Sequence, residues 1–246
     1  MNKVELLGIA FDDLALSAAV ERALSLMDER RAAYVVTPNP EIVLDARKNP
    51  ALNTAIAGAA LTLPDGVGVI YASRILGREL RHRVPGIDFA SALMERMGES
   101  GRSVYLLGAK PGVAELAGGN LTAQYDGLVL SGWHDGYFSE EENEGVLAAI
   151  NAASPDLLLV CLGSPKQELW MQRNAPRLKV GLMAGLGGAL DVYAGLVERA
   201  PRRWSELGLE WLYRLIKEPK RMRRMVRLPG ILAAALRERI GGSKLE

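Results

Sequence analysis

Three apolar stretches of this chain each end in a short polar cluster, and this repeated pattern constrains the fold more than any other feature. They are YVVTPN at 34–39, LTLPDGVG at 61–68 and LLLVCLGSPKQE at 157–168. A continuous apolar run is typical of a parallel strand that is buried on both faces. Helical patterns separate these runs, and strands that alternate with helices indicate βαβ units. We therefore predict an α/β fold, with a Rossmann-like, mostly parallel sheet flanked by helices.

The polar clusters stand where ligands bind in such folds, because the carboxyl ends of parallel strands border one crevice. Four polar side chains follow the three runs: Thr37, Asn39, Asp65 and Gln167. The alternative is that each cluster is an ordinary turn, since Pro, Gly, Asn and Asp are common turn residues. Three clusters with different hydrogen-bonding or titratable groups favour one shared site.

Single elements follow from the same periodicity. Residues 4–11 (VELLGIAF) predict one strand, and residues 14–30 predict a helix. Pro40 can start the helix after the first polar cluster, because proline suits the first helical turn. Ser139 can cap a later helix, whose acidic first turn suits the positive end of the helix dipole.

Composition places the chain among ordinary globular proteins. Of its 246 residues, 49% are hydrophobic and 24% charged, as in typical soluble domains. The one cysteine, Cys161, excludes a disulfide framework and indicates a reducing compartment. We recognise no charged-then-apolar leader and no apolar run of about eighteen residues, so we expect neither a secretory signal nor a transmembrane helix.

The net charge of +1 conceals an asymmetry along the chain. Residues 199–246 contain 10 Arg and 3 Lys against 5 Glu, a net charge of +8, which leaves −7 for residues 1–198. A basic segment on a mildly acidic body indicates a polyanionic partner, either nucleic acid or an anionic membrane surface. We therefore predict an α/β body over 1–198 and a basic helical C-terminal appendage over 199–246.

The appendage combines its charge with helical periodicity. Four cations spaced by three or four residues would form one stripe on a near-continuous helix: Arg214, Lys217, Arg221 and Arg224. Such a segment can lie in a membrane interface, with its cations near lipid phosphates. The alternative is a helix packed on the body with its charges in water. We expect no nucleic-acid partner, since exposed aromatic residues do not interleave with the arginines.

Each polar cluster offers a particular chemistry. Asp65 follows a strand, where a carboxylate can act as a general base on a hydroxyl group, although an Asp-Gly pair is more often a turn. Thr37 and Asn39 can bind a polar substrate or stabilise their own turn. In GSPKQE, Gly163 allows a ligand to approach the backbone. Pro165 opens a helix whose N-terminus attracts anions.

The anion-binding interpretation extends along that helix and to a second loop. Lys166 and Gln167 are expected to point toward the bound anion. The AGLGGALD segment forms another flexible loop with two glycines of interest: Gly185 and Gly187. Leu190 occupies the last glycine position of a dinucleotide fingerprint, so an NAD-type site is not supported.

Metal use is not expected. The two histidines, His82 and His134, have no companion ligands at metal-binding spacing, and the chain contains no Asp-x-Asp pair. A nucleotide-sugar enzyme without that pair must neutralise the diphosphate leaving group with arginine, lysine or helix N-termini. Arg83, Lys166 and the appendage arginines are candidates, although Arg83 is alternatively a surface loop residue.

An ordered set of motifs resembles one protein family. The motifs are TPNPEI, PDGVG, RVPGID, HDGYF, GSPKQE, GLGGALD, RAP at 199–201 and GLEWLYRLIKEPKR. Each motif is weak alone, but their order over nearly the whole chain resembles the WecG/TagA/CpsF glycosyltransferases. The resemblance is strongest to the TagA branch, the N-acetylmannosaminyltransferases of wall teichoic acid synthesis.

The resemblance implies an inverting enzyme that needs neither a metal ion nor a cofactor. Proteins of this branch transfer N-acetylmannosamine from its UDP sugar to an undecaprenyl-diphosphate-linked N-acetylglucosamine. The expected partners are this UDP-sugar donor, the lipid acceptor and the cytoplasmic membrane surface, with the protein peripherally bound at the inner face. Family resemblance also leads us to expect self-association through an apolar surface left when the appendage is displaced.

The resemblance assigns roles to individual residues. Asp65 matches the catalytic base, and four further residues match the polar pocket: Thr37, Asn39, Arg83 and Gln167. Residues expected near the UDP-sugar are Tyr137, Gln167 and Asp191, together with Gly163, Pro165, Lys166, Gly185 and Gly187. Residues expected at the lipid diphosphate or membrane are Arg214, Lys217, Arg221 and Arg224.

Two alternatives remain open from the sequence. One is a transferase of the same family that uses a mannosaminuronic acid or glucosyl donor for a different surface polysaccharide. The other is a peripheral membrane or nucleotide-binding module that binds UDP or vesicles and catalyses nothing.

Overall fold

The computed structural model describes residues 3–198, Trp204, Tyr213 and 227–242 of the chain. Its strands are β1 (Lys3–Leu6), β2 (Ile9–Asp12), β3 (Ala33–Val36), β4 (Leu61–Thr62), β5 (Ser103–Gly108), β6 (Val129–His134), β7 (Leu157–Cys161) and β8 (Leu182–Gly185). Its α-helices are α1 (Leu16–Glu29), α2 (Pro40–Ala46), α3 (Pro50–Ala57), α4 (Val67–Ile75), α5 (Gly86–Gly98), α6 (Val113–Gln124), α7 (Asn143–Ala153), α8 (Lys166–Asn174), α9 (Ala189–Tyr193) and α10 (Arg227–Gly242). A short 3-10 helix, Ala175–Arg177, follows α8.

The central sheet contains six strands in the order β4-β3-β8-β7-β5-β6. Every neighbouring pair in it is parallel. Side chains alternate between its faces, so that Tyr34 and Val36 of β3 enter one core and Val35 enters the other. The predicted α/β fold, with a mostly parallel Rossmann-like sheet between helices, is confirmed.

Two hydrophobic cores cover the opposite faces of this sheet. One contains buried side chains of α2, α3, α4, α7, α8 and α10, and the other contains those of α1, α5, α6 and α9. All five residues of β7 are buried as a result. Burial on both faces is the physical reason for the uninterrupted apolar runs in the sequence.

The N-terminal segment differs from its prediction. Instead of one strand over 4–11, β1 and β2 form an antiparallel hairpin outside the central sheet. Its turn residues, Leu7 and Gly8, have φ angles of 52° and 85°, and positive φ at both positions suits a tight hairpin. Leu7 is buried. As an apolar residue it continues the apolar run in the sequence, so the turn is not visible there. Asp12 ties the hairpin to the sheet, because its Oδ2 accepts a hydrogen bond from Thr62 N–H (2.9 Å).

Helix starts followed the local signals only in part. Pro40 begins α2, as predicted. Ser139 N–H donates to Glu142 Oε2 (2.7 Å), and Glu142 N–H donates to Ser139 Oγ (3.3 Å). This reciprocal pair lies one turn before α7 itself, which begins at Asn143. The short helix α3 was not predicted, although Asn49 caps it by accepting from Leu52 N–H (3.2 Å).

The last helix, α10, packs on the α/β body beside α2 and α4. Ile231 and Ala235 are fully buried in the core that also contains α4. An ion pair joins Arg227 to Asp45, and the Arg239 guanidinium donates to the carbonyl of Ile75 (2.8 Å). The predicted stripe of four cations, Arg214, Lys217, Arg221 and Arg224, lies outside the described residues. A domain boundary at 198/199 therefore stays a prediction.

Candidate functional site

Four adjacent strands of the sheet, β4, β3, β8 and β7, end at the same edge. The chain passes from β3 to β4, the outer strand on one side of the sheet. It passes from β5 to β6, the outer strand on the other side. Ligands of open parallel sheets bind where the direction of connection reverses, beyond the carboxyl ends of the strands. The three polar clusters singled out in the sequence follow β3, β4 and β7, and the glycine loop AGLGGALD follows β8.

Asp65 lies in the turn between β4 and α4 and is partly exposed. Its Oδ2 accepts a long hydrogen bond from Gly86 N–H, at the first residue of α5 (3.4 Å). The Asp65 N–H donates to the carbonyl of Pro38 (3.2 Å), which joins the turns after β4 and β3. The carboxylate is thus oriented by a helix N-terminus and held beside the Thr37 turn.

Gly86 is the point where three elements meet. A β-carbon on Gly86 would lie 2.9 Å from Thr37 Oγ1 and 3.2 Å from Leu186 Cδ2. Both distances are tighter than ordinary contacts, so a larger residue here would force the Thr37 or Leu186 side chain to move. We call Thr37, Asp65, Gly86 and Leu186 the Asp65 cluster.

Arg83 stands in the loop before α5, next to this cluster. The following residue, Val84, donates its N–H to the carbonyl of Pro64 (2.9 Å), so the loop runs beside the Asp65 turn. The almost buried carboxylate of Asp13 holds the other side of the loop. It accepts hydrogen bonds from the N–H groups of Arg81 (3.0 Å) and His82 (3.2 Å).

Asn39 has a structural task at the same strand end. Its Oδ1 accepts hydrogen bonds from the N–H groups of Glu41 (2.9 Å) and Ile42 (3.1 Å) and so caps α2. The turn-stabilising interpretation of Asn39 therefore has direct support, and its expected contact with a substrate stays a prediction.

Gln167, in the first turn of α8, is buried with 3% of its surface exposed. Its Oε1 accepts from Gly187 N–H (2.9 Å), and its Nε2 donates to Glu168 Oε1 (2.8 Å). A β-carbon on Gly185 would lie 2.7 Å from Met171 Cε and 3.2 Å from Gln167 Nε2. The glycine at the end of β8 therefore makes room for α8 and its glutamine.

The start of α8 also holds a cation. Lys166 Nζ donates to the carbonyl of Gly136 (3.0 Å) and lies 4.8 Å from the centre of the Phe138 ring. Pro165 precedes the helix, and Gly163, with φ of 76°, accepts at its carbonyl from the N–H of residue 167 (2.8 Å). We call Gly136, Phe138, Lys166, Gln167 and Gly187 the α8 cluster.

Two further predicted residues lie at the margins of the α8 cluster. Tyr137 is 71% exposed, and its backbone N–H donates to Asp135 Oδ1 (2.8 Å). Asp191 stands in the first turn of α9, and its backbone carbonyl accepts from Leu196 N–H (2.9 Å) and Val197 N–H (3.1 Å). Gly136, next to Tyr137, belongs to the α8 cluster. The loop before α9, next to Asp191, adjoins that cluster.

The structure brings most of the predicted residues to one edge of the sheet. Leu186 and Gly187 are consecutive, so the Asp65 cluster and the α8 cluster share the loop after β8. Sequence reasoning missed Gly86 and the buried carboxyl group of Glu168. Gly86 lies in the RVPGID motif and Glu168 in the GSPKQE motif. Neither motif indicates which atoms these residues contact.

The chemistry available at this edge is that of a base and an anion site. Asp65 is a partly exposed carboxylate that can take a proton from a bound hydroxyl group. Lys166 and the N-terminus of α8 favour a negatively charged ligand. Among residues 3–198 and the other described positions, no group of three His, Cys, Asp or Glu side chains could hold a metal ion.

Comparisons with known proteins point to one family. The family model described as "Glycosyl transferase WecG/TagA/CpsF family" matches residues 4–245. A curated relative from Bacillus spizizenii (strain ATCC 23059 / NRRL B-14472 / W23) is 33% identical over 218 residues, which are 89% of this chain and 84% of that protein. It is named N-acetylglucosaminyldiphosphoundecaprenol N-acetyl-beta-D-mannosaminyltransferase.

Proposed function

Because the chain belongs to the WecG/TagA/CpsF family of glycosyl transferases, we propose that it transfers N-acetylmannosamine from UDP-N-acetylmannosamine to undecaprenyl-diphosphate-linked N-acetylglucosamine. The products are UDP and a β-1,4-linked disaccharide lipid, as needed for the linkage unit of wall teichoic acid. The name of the Bacillus relative supports this donor sugar and this lipid acceptor. The reaction inverts the anomeric carbon.

The position of Asp65 is the observation that carries the proposal. Its carboxylate is partly exposed at the edge where four parallel strands end, and Gly86 N–H orients it. In an inverting transfer, one in-line displacement forms the new bond as the old one breaks. Asp65 accepts the proton of the acceptor 4-hydroxyl while that oxygen attacks the anomeric carbon and UDP leaves.

The α8 cluster is the proposed donor subsite. The diphosphate of the UDP-sugar carries negative charge that grows as the bond to the sugar breaks. Lys166 and the positive end of the α8 dipole can neutralise that charge without a metal ion. Tyr137, with its ring in solvent, and Asp191, at the start of α9, are the proposed contacts to the rest of the nucleotide.

The acceptor requires a route to the membrane. Within the described residues, no helix is both long and apolar enough to cross a bilayer. We therefore propose peripheral binding at the cytoplasmic face, through the basic segment that contains Arg214, Lys217, Arg221 and Arg224. These cations would meet anionic lipids and the lipid diphosphate together.

The test is UDP release in the presence of EDTA, with and without the lipid-diphosphate N-acetylglucosamine acceptor. We expect release from UDP-N-acetylmannosamine only when the acceptor is present, and a disaccharide lipid in the extract. Release from a UDP-mannosaminuronic acid or UDP-glucose donor instead would keep the family and change the product. If the folded protein binds UDP but releases none from any donor, the enzymatic proposal is wrong.

A further inference from the structure

Glu168 is a buried carboxyl group to which the proposed chemistry gives no task. It follows Gln167 in α8, and only 1% of its surface is exposed. Its Oε1 accepts from Gln167 Nε2 (2.8 Å), and among the described residues its buried Oε2 has no hydrogen-bond partner of normal geometry. Burial raises the pKa of Glu168 above its ordinary value, and hydrogen bonds from Gln167, the backbone and the Ser164 hydroxyl lower it less.

A buried acid is costly to keep, since an isosteric apolar side chain would avoid its desolvation. Packing alone therefore does not account for a carboxyl group at this position. Its one well-formed hydrogen bond goes to the side chain of Gln167. That amide is therefore the link through which we expect the carboxyl group to act on the loop after β8.

The Gln167 amide has a donor end and an acceptor end, and only one orientation satisfies both of its partners. A carboxyl oxygen of Glu168 accepts from the NH₂ end, which turns Oε1 toward Gly187 N–H (2.9 Å). If the amide were reversed, its NH₂ group would face the Gly187 N–H, which is also a donor. Its oxygen would face a Glu168 carboxyl oxygen, which is also an acceptor. Glu168 therefore selects the amide orientation that holds the loop after β8.

We propose that Glu168 is a positioning residue that fixes the Gln167 amide and, through it, the Leu186–Gly187 loop shared by the two halves of the site. This inference rests on the proposed transferase function for its effect on turnover. The hydrogen-bond chain from Glu168 to Gly187 does not depend on that function. Glu168 itself touches neither substrate in this scheme.

Two substitutions separate the acceptor atom from the volume of the side chain. Glu168→Gln keeps an oxygen that can accept from Gln167 Nε2, so the chain persists. Glu168→Leu keeps an apolar side chain of similar bulk but leaves the Gln167 NH₂ unsatisfied in a buried place. We expect Glu168→Gln to retain kcat and donor KM within about threefold, and Glu168→Leu to lose about 10- to 100-fold in kcat/KM for the donor.

Two readouts report positioning without turnover. In the full-length protein, NMR hydrogen exchange of Gly187 N–H should quicken at least about tenfold in Glu168→Leu and stay near wild type in Glu168→Gln. UDP alone, titrated calorimetrically, should bind more weakly to the leucine variant. In a Gln167→Ala background, Glu168→Leu should add little further loss, because the intermediary is already gone.

Each contrary result has a defined meaning. Losses that add fully in the Gln167→Ala background would overturn the proposal, as would unchanged Gly187 exchange in a folded leucine variant. If the leucine variant does not fold, a loss of about 10- to 100-fold in kcat/KM in a folded Glu168→Gln protein overturns it instead. If wild type transfers no sugar at all, the proposed function fails, and the Gly187 exchange data still decide whether Glu168 positions the loop.

Discussion

The two clusters of the site are built by different kinds of contact. The Asp65 cluster is assembled from steric fit and backbone hydrogen bonds, with Gly86 enclosed between Thr37 and Leu186. The α8 cluster depends on side chains that reach backbone groups of other loops, as in the bonds of Lys166 to Gly136 and of Gln167 to residue 187. The first is fixed by shape, and the second by polar contacts.

This difference has a consequence for function under the proposed reaction. A base must stand within hydrogen-bond reach of the hydroxyl it deprotonates, so a rigid, shape-determined cluster suits Asp65. A diphosphate arrives and leaves in every cycle, so a cation held by one exposed hydrogen bond suits the donor side. Substitutions near Asp65 should therefore lower kcat, and those near Lys166 should mainly lower kcat/KM for the UDP-sugar donor.

The largest expected effect belongs to Asp65→Asn. The amide keeps the size of the side chain but cannot accept the proton, so kcat should fall by about 10²- to 10⁴-fold. UDP affinity and the thermal midpoint should stay close to wild type. Steady-state rates with both substrates, together with UDP calorimetry, check this.

The matched control for Asp65→Asn is Asp28→Asn. Asp28 is 64% exposed and pairs with Arg102, which precedes β5 and so lies at the opposite, amino end of the sheet. Its loss should change neither rate nor stability appreciably, because exposed ion pairs contribute about 0–1 kcal/mol. Wild-type turnover in Asp65→Asn would remove the base from the proposal.

Gly86→Ala tests whether shape fixes the Asp65 cluster. The added methyl group would meet Thr37 Oγ1 at 2.9 Å and Leu186 Cδ2 at 3.2 Å. We expect a loss of about 1–3 kcal/mol in the free energy of unfolding. We also expect about a 10²-fold lower rate, since a displacement of about 1 Å near the base is costly.

Gly119→Ala is the control for that substitution. Gly119 lies in α6, and a β-carbon there would have nothing within 4 Å. Alanine should stabilise this position by about 0.4–1 kcal/mol and leave transfer unchanged. Urea unfolding and initial rates of both variants decide the comparison. If both glycines tolerate alanine equally, the steric account of the Asp65 cluster is wrong.

The sequence was sufficient for the central sheet because burial on both faces leaves a direct mark. The run at 157–161 is apolar at every position, as a strand buried between two helical layers must be. The hairpin left no such mark. Leu7 adopts positive φ while buried. Its apolar side chain suggests a strand residue, but its backbone conformation is that of a turn. Gly8 was the local sign of a turn in this stretch, and the apolar run around it outweighed that sign.

For the site, the sequence predicted positions better than contacts. Asp65 follows β4 and Gln167 follows β7, and both lie at the carboxyl ends of one sheet because its strands are parallel. The capping role of Asn39 is local and was among the alternatives that the sequence left open. The enclosure of Gly86 and the pairing of Glu168 depend on residues far away in the chain or on burial, so no motif could specify them.

Lys166→Met addresses the polar side of the comparison. It removes the ammonium group that contacts the Gly136 carbonyl (3.0 Å) and stands over the Phe138 ring. We expect kcat/KM for the UDP-sugar to fall about tenfold, as for loss of one charge-assisted contact to a diphosphate. The acceptor KM should change little. Lys179→Met, at the opposite end of β8, is the control, and an equal effect there would refute a local role for Lys166.

The smallest effect concerns stability and involves the raised pKa of Glu168. A group whose pKa is raised on folding favours the native state below its unfolded value, 4.5 for this residue. That contribution is lost as the pH rises through the folded value. Glu168→Gln cannot titrate, so its stability relative to wild type should increase between pH 5 and pH 8.

Urea unfolding at both pH values measures this change, and Glu144→Gln supplies the contrast. Arg177 lowers the pKa of the exposed Glu144 carboxylate. Its contribution is therefore complete above pH 5 and is lost only in more acidic solution. The stability difference between Glu144→Gln and wild type should stay flat from pH 5 to pH 8. A flat difference for Glu168→Gln as well would mean that the native protein accommodates a charged Glu168, and that the α8 cluster is more open to solvent than its geometry indicates.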